Sequence, residues 1–157
     1  MTQPFTPELI AAAQASEAKF YPLGPFVSIS LAQWAVESAY GRAQSGKNNF
    51  FGIKANAAQI AAGKATACRT REFIDGEYQT EVLYFADYAS LQECFDAHAT
   101  LLTEPSLKWA YGECWTAPTP QAYAIALGKH YATAPNYPEV LMGVINQWSL
   151  TQYDVKR

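Results

Sequence analysis

The sequence predicts an α+β fold, mostly helical with one small β-hairpin lobe. Three observations carry that expectation. Segments in both halves of the chain are apolar at helical spacing and are bounded by capping residues, Gly or Pro. One central stretch, residues 67–86, alternates instead, is rich in Thr, Val, Tyr and Phe, and holds Asp75-Gly76 between its halves, which is a hairpin signal. No repeat, low-complexity tract or linker interrupts the 157 residues, so one domain spanning 1–157 is expected.

The elements follow in order. "TPELIAAAQASEAKF" reads as a helix capped by Thr6, with Pro7 in its first turn and Glu8 at its positive end. "YPLGPF" breaks it. A second helix runs from about Val27 to Tyr40 and stops at Gly41. "SGKNNFFGIKAN" has turn chemistry at both ends around an aromatic pair and reads as an ordered loop. After the hairpin, Ser90 with Glu93 forms a capping box for "LQECFDAHATLL". "PQAYAIALGKHY" and "PEVLMGVINQWSL" form a second helical pair joined by "ATAPNY".

Composition excludes several function classes. Half the residues are hydrophobic and 14% are aromatic, which rules against disorder. The net charge of −3 and a pI near 5.3 argue against nucleic acid, whose phosphates require a basic surface. No apolar run is long enough to span a bilayer, so no membrane insertion is expected. "MTQPFTPELI" lacks a basic region followed by an apolar one, so no secretory signal is expected and synthesis in the cytoplasm is. Cys68, Cys94 and Cys114 are far apart, and with His98 and His130 they make no zinc spacing. Reduced thiols, with Cys94 in the core, and no metal or organic cofactor are the expectation.

Glu37 is the residue that needs an explanation. On a helix of 3.6 residues per turn, Ser30, Gln33 and Glu37 share one narrow stripe. Val27, Ile29, Leu31, Trp34, Ala35, Val36 and Tyr40 cover most of the rest, so the helix is packed on several sides. The polar stripe then faces bulk water or a wet cleft. Three or four residues away stand Gln33, Trp34, Tyr40 and Gly41, none of them cationic, so a helical ion pair does not explain the carboxylate. Apolar surroundings would raise its pKa and suit it to donate a proton near neutral pH.

"SISLAQWAVESAYGRA" followed by "NNFFGIKA" resembles the signature of bacterial glucosaminidase domains, glycoside hydrolase family 73. "TREFIDGEYQTEVLYFADYASLQECFDAH" and "PQAYAIALGKHYATAPNYPEVL" match in the same order, so the resemblance covers roughly residues 28–145. It implies a lysozyme-like fold in which a helical lobe and a β-lobe face each other across a substrate groove. It also implies catalytic roles. Glu37 matches the general acid, and Glu72 in "TREF" matches the second carboxylate of the β-lobe. An exposed strand residue paired with Arg69 or Arg71 is the plain alternative for Glu72, and Asp75, Glu77 and Glu81 are hairpin competitors. Tyr131 in "HYATAPNY" matches the tyrosine beside the acid, with Tyr137 second. The family pattern usually has an acidic residue where Ala134 stands. Asn136 is the expected substitute if that residue only caps the next helix.

Glycan chains stack on aromatic rings, and Phe50, Phe51, Tyr111, Trp115 and Tyr137 lie in loop-like segments where exposure is expected. Trp34 and Trp148 are expected in the core. Asn49, with Asn48, is expected either to bond sugar hydroxyl or acetamido groups or to shape a turn. The leading expectation is therefore a peptidoglycan hydrolase, acting as a monomer on glycan strands and cutting after N-acetylglucosamine. A muramidase or lytic transglycosylase of lysozyme-like fold is the alternative within enzymes, and a noncatalytic glycan-binding module is the alternative outside them. The missing leader suggests a phage lysin or a delivered effector that reaches the wall after release.

Overall fold

A computed structural model describes residues 2–157, with only the backbone described at Glu72. Helix α1 (Pro7–Phe20) starts where Thr6 Oγ1 accepts from Leu9 N at 3.2 Å. Helix α2 (Val27–Glu37) follows, then α3 (Ala57–Ala61), the hairpin β1 (Ala65–Ile74) and β2 (Glu77–Ala86), and α4 (Leu91–Thr103). Short α5 (Lys108–Tyr111), α6 (Pro120–Leu127) and α7 (Tyr137–Gln147) complete the regular elements, with 3-10 turns at Pro105–Leu107, Cys114–Thr116 and Leu150–Tyr153. The helical lobe and small hairpin lobe are those expected.

Helix α2 is the axis of the core. It packs against α1, α6 and α7, and Val27, Ile29, Leu31 and Ala32 are wholly excluded from solvent. Burial of Val27, Ile29 and Leu31 contributes about 1.5–3 kcal/mol each. Trp34 is buried against Phe5, as expected, whereas Trp148, expected in the core, packs against the same ring but is only half-buried, at the core's edge. Cys94 is buried, and burial pushes its thiol up to about 11.

The first turn of α2 is capped from afar. Phe26 at the N-cap has no side chain to serve its amides. Instead Glu17, from α1, accepts from Val27 N at 3.0 Å, and Asp154 accepts from Ser28 N and Ser28 Oγ, both at 2.7 Å. Two carboxylates thus sit at the positive end of the helix. Glu17 also accepts from Val155 N at 3.1 Å and lies 3.7 Å from the Arg157 guanidinium. Burial raises the pKa of both carboxyls, against the lowering effect of these bonds.

The hairpin register pairs Ala65 with Ala86 at the base and Ile74 with Glu77 at the tip. Asp75 (φ 52°) and Gly76 (φ 81°) both adopt the left-handed conformation that a tight two-residue turn demands. The base is anchored to the body: Lys54 pairs with Phe85, and Asp87 accepts from Thr66 Oγ1 at 2.6 Å and from Lys47 N at 2.8 Å.

Several local expectations are corrected. The second helix ends at Glu37, three residues earlier than expected. Ser90 does cap α4, but Glu93 reaches back to Ala89 N at 2.7 Å rather than to Ser90, so the reciprocal box is displaced by one residue. Asn136 occupies the N-cap of α7, but its φ of −95° and ψ of 14° are not cap geometry and its side chain makes no cap bond; Tyr137 N bonds back to Ala134 O instead.

Candidate active site

The end of α2 presents the carboxylate. Trp34 O accepts from Ser38 Oγ, which in turn accepts from Gly41 N at 2.8 Å. Ala39, Tyr40 and Gly41 all have positive φ (49°, 58° and 83°), so the chain turns away at once and leaves Glu37 as the last helical residue. Only glycine fits the third position. A Cβ on Gly41 would lie 2.7 Å from Trp34 Cζ2.

Glu37 borders a hollow of about 590 Å³ that Phe51, Lys54, Leu101, Tyr111 and Tyr131 also line. Its side chain is open to solvent on one side, while the surrounding protein strips enough water to raise its pKa; the hydroxyl of Tyr137, donating to Glu37 Oε1 at 2.9 Å, partly opposes that rise. A carboxyl so placed holds a proton to higher pH than an ordinary surface glutamate.

The tyrosines divide the expected role. Tyr137 bonds the carboxylate directly and is buried, so it is no open stacking platform. Tyr131 lies over it, ring centroids 5.9 Å apart and nearly parallel, and faces the hollow. Burial pushes both phenols well up, so both stay protonated. Tyr111, half-buried, borders the hollow beside Tyr131.

Other expected contacts are corrected by packing. Asn49 is fully buried: its Nδ2 donates to Ile53 O (2.8 Å) and Ala86 O (2.9 Å), and its Oδ1 accepts from Ile53 N (3.1 Å). It ties the loop to the hairpin base, and its complete burial keeps it from sugar. Phe51 is buried, stacked on His98 at 4.0 Å and edge-on to Phe95 at 5.3 Å, so only its rim reaches the hollow. Phe50 packs against Trp34, and Trp115 spends its indole N–H on Leu102 O at 2.7 Å. Both rings are half-buried, with part of each surface left accessible.

Glu72 stands on β1 opposite Gln79. Its side chain, and with it the expected catalytic role, lies outside the described residues. Among the described residues no cluster of His, Cys, Asp or Glu is arranged to hold a metal ion.

The polar stripe of α2 faces neither bulk water nor a cleft for most of its length. Ser30 and Gln33 are buried, and Gln33 bonds both Tyr137 and His98. His98 escaped sequence reading because its partner lies 65 residues away. The available signal was Gln33 itself, one turn before Glu37 on the same stripe.

The chain resembles known proteins in sequence and fold. A probable N-acetylmuramidase of Lactococcus lactis subsp. lactis is 32% identical over 138 residues, 83% of this chain and 30% of that protein. The exo-glucosaminidase LytG of Bacillus subtilis is 29% identical over 157 residues, 97% of this chain and 53% of that protein. The chain thus spans from about a third to about half the length of these two relatives. The catalytic domain of the autolysin Auto from Listeria monocytogenes superposes with a TM-score of 0.80 at 31% identity, over 94% of this chain and 84% of that one. The glucosaminidase model, described as mannosyl-glycoprotein endo-beta-N-acetylglucosaminidase, matches residues 11–150, and the chain belongs to that family.

Proposed function

We propose that this chain hydrolyses the glycan strands of peptidoglycan at the bond after N-acetylglucosamine. The observation that carries the reading is Glu37, set at the end of a buried helix on the rim of a tyrosine-lined hollow, with its pKa raised by burial. Glu37 delivers its proton to the glycosidic oxygen as the bond to the anomeric carbon breaks, and a water molecule supplies the hydroxyl that replaces it. Tyr131 and Tyr111 offer hydroxyl groups and ring faces to the sugar. Glu72 is the proposed second carboxylate, on the support of its strand position in the hairpin lobe and its match to the family motif. It activates the water or stabilises positive charge as the lobe closes.

The names of the relatives divide between muramidase and glucosaminidase, and the matched family model favours the latter. Mass spectrometry of digested peptidoglycan, after reduction of the new ends, decides between them. N-acetylglucosamine at the reducing ends is expected. N-acetylmuramic acid there, or its anhydro form, would place the chain with the muramidases or lytic transglycosylases. Glu37→Gln keeps the shape but removes the proton, so turnover should fall about a hundredfold or more with folding intact. Near-normal lysis of a wall suspension by folded Glu37→Gln would remove Glu37 from the mechanism.

A further inference from the structure

Behind Glu37 lies a row of buried polar groups that the reaction above does not use. Tyr137 Oη donates to Glu37 Oε1 at 2.9 Å, Gln33 Nε2 donates to Tyr137 Oη at 3.1 Å, and His98 Nε2 meets Gln33 Oε1 at 2.7 Å. The members come from α7, α2 and α4, and Gln33 and His98 are fully buried.

The row has a direction. A glutamine amide has an acceptor end and a donor end, and either end can meet a hydroxyl. With its NH2 toward Tyr137, the phenol accepts from glutamine and keeps its one hydrogen for Glu37. With the amide flipped, the phenol would donate to glutamine and present only lone pairs to a carboxylate. His98 selects between these states. Among the described residues its Nδ1 has no partner, so the ring proton belongs on Nε2, where Gln33 Oε1 accepts it; the opposite tautomer would bury an unpaired N–H. Burial holds the imidazole pKa down to about 3, so the ring carries one proton across the working range. Phe51, stacked at 4.0 Å and 14°, fixes the ring plane.

We infer that His98 and Gln33 are positioning residues for Glu37: they aim the Tyr137 hydroxyl at Oε1, so that Oε2 carries the proton delivered to the leaving oxygen. The inference rests on the reading of Glu37 as the acid. Other ionisable groups around Glu37 are Lys54 from the loop before α3, Tyr111 from α5 and Tyr131 after α6, all lining the same hollow. None of them belongs to the row, so its effect is separable from theirs.

The test is a carbon-detected NMR titration of the Glu37 carboxyl in glutamate-labelled protein, without substrate, assigned by the signal lost in Glu37→Gln. Gln33→Met keeps the length of the side chain and removes both bonds. His98→Gln keeps an N–H near the Nε2 position, whereas His98→Asn is one methylene too short to reach Gln33. Losing an oriented donor should raise the Glu37 pKa by about one pH unit in Gln33→Met and His98→Asn, and by much less in His98→Gln. In the folded variants the alkaline limb of the activity profile should rise with it, and kcat should fall with KM unchanged. An unmoved titration in folded Gln33→Met, or equal shifts in His98→Gln and His98→Asn, would overturn the inference. The two readings fail separately. A full shift together with an active Glu37→Gln would sink the acid assignment alone, and an unmoved titration with an inactive Glu37→Gln would sink the orientation alone.

Discussion

Acidification gives a direct measure of how firmly the core encloses His98. The ring is wholly buried and its pKa is depressed from 6.5 to about 3, because the interior disfavours the imidazolium. In the unfolded chain the same ring takes up a proton near pH 6.5. Between those two values the unfolded state binds more protons, so the stability contributed at neutral pH is lost as pH falls. From near pH 7 to near pH 5 the loss amounts to about 2 kcal/mol, at about 1.4 kcal/mol per pH unit once below the unfolded value. Glu17, Glu37 and Asp154 act in the opposite sense. Their raised pKa values make the native state the better proton binder, so each adds stability as pH falls toward its unfolded value. The comparison must therefore be made against His98→Gln, in which the carboxylates remain and the imidazole does not. Urea unfolding of both proteins at the two pH values gives the difference. The wild type should lose about 2 kcal/mol relative to the variant on acidification. A relative change near zero would mean that His98 is hydrated or already charged, and the row behind Glu37 would lose its fixed end.

Asn49→Ala should destabilise the fold by about 2 kcal/mol, since Ile53 N and Ala86 O lose their amide partner at about 1 kcal/mol each while Ile53 O keeps Ala86 N; a change below about 1 kcal/mol in urea unfolding would contradict the structural role given to it. Gly41→Ala should cost about 2–3 kcal/mol, from the φ of 83° and a Cβ placed 2.7 Å from the Trp34 ring, and a melting temperature equal to wild type would refute that geometry. Tyr137→Phe should reduce turnover more than Tyr131→Phe, because only Tyr137 bonds the carboxylate; kinetics on soluble glycan fragments showing the reverse order would return the catalytic role to Tyr131.

The main elements were legible because local chemistry specified them. Thr6 before Pro7, Asp75-Gly76 between alternating segments, and Ser90 before α4 each announce an element through their own backbone bonds. Glu37 stood out for the same reason, as an unpaired carboxylate on an apolar helix. Illegible were the side chains whose partners are remote in sequence. Asn49 reads equally as a sugar contact until Ala86 O, 37 residues on, claims its amide. Phe51 and Trp115 look like loop aromatics until His98 and Leu102 cover or bond them. Tyr137 was expected as a second choice to Tyr131, because a helix-end position says nothing about which phenol points inward. Periodicity counted Tyr40 into α2, whereas three left-handed residues turn the chain away after Glu37.

The remote capping of α2 gives the protein an order of assembly. The helix that ends in Glu37 begins under Asp154, 126 residues further along the chain, and under a Glu17 carboxylate that Val155 also engages. A growing chain that has not yet reached Asp154 lacks half of that cap, and the first amides of the helix stay bound to water. The acid thus stands at one end of a helix whose other end closes only once the segment holding Asp154 and Val155 has docked. A centre built this way depends on a contact 126 residues away in sequence: loss of the Asp154 carboxylate would loosen, from its far end, the helix that carries Glu37.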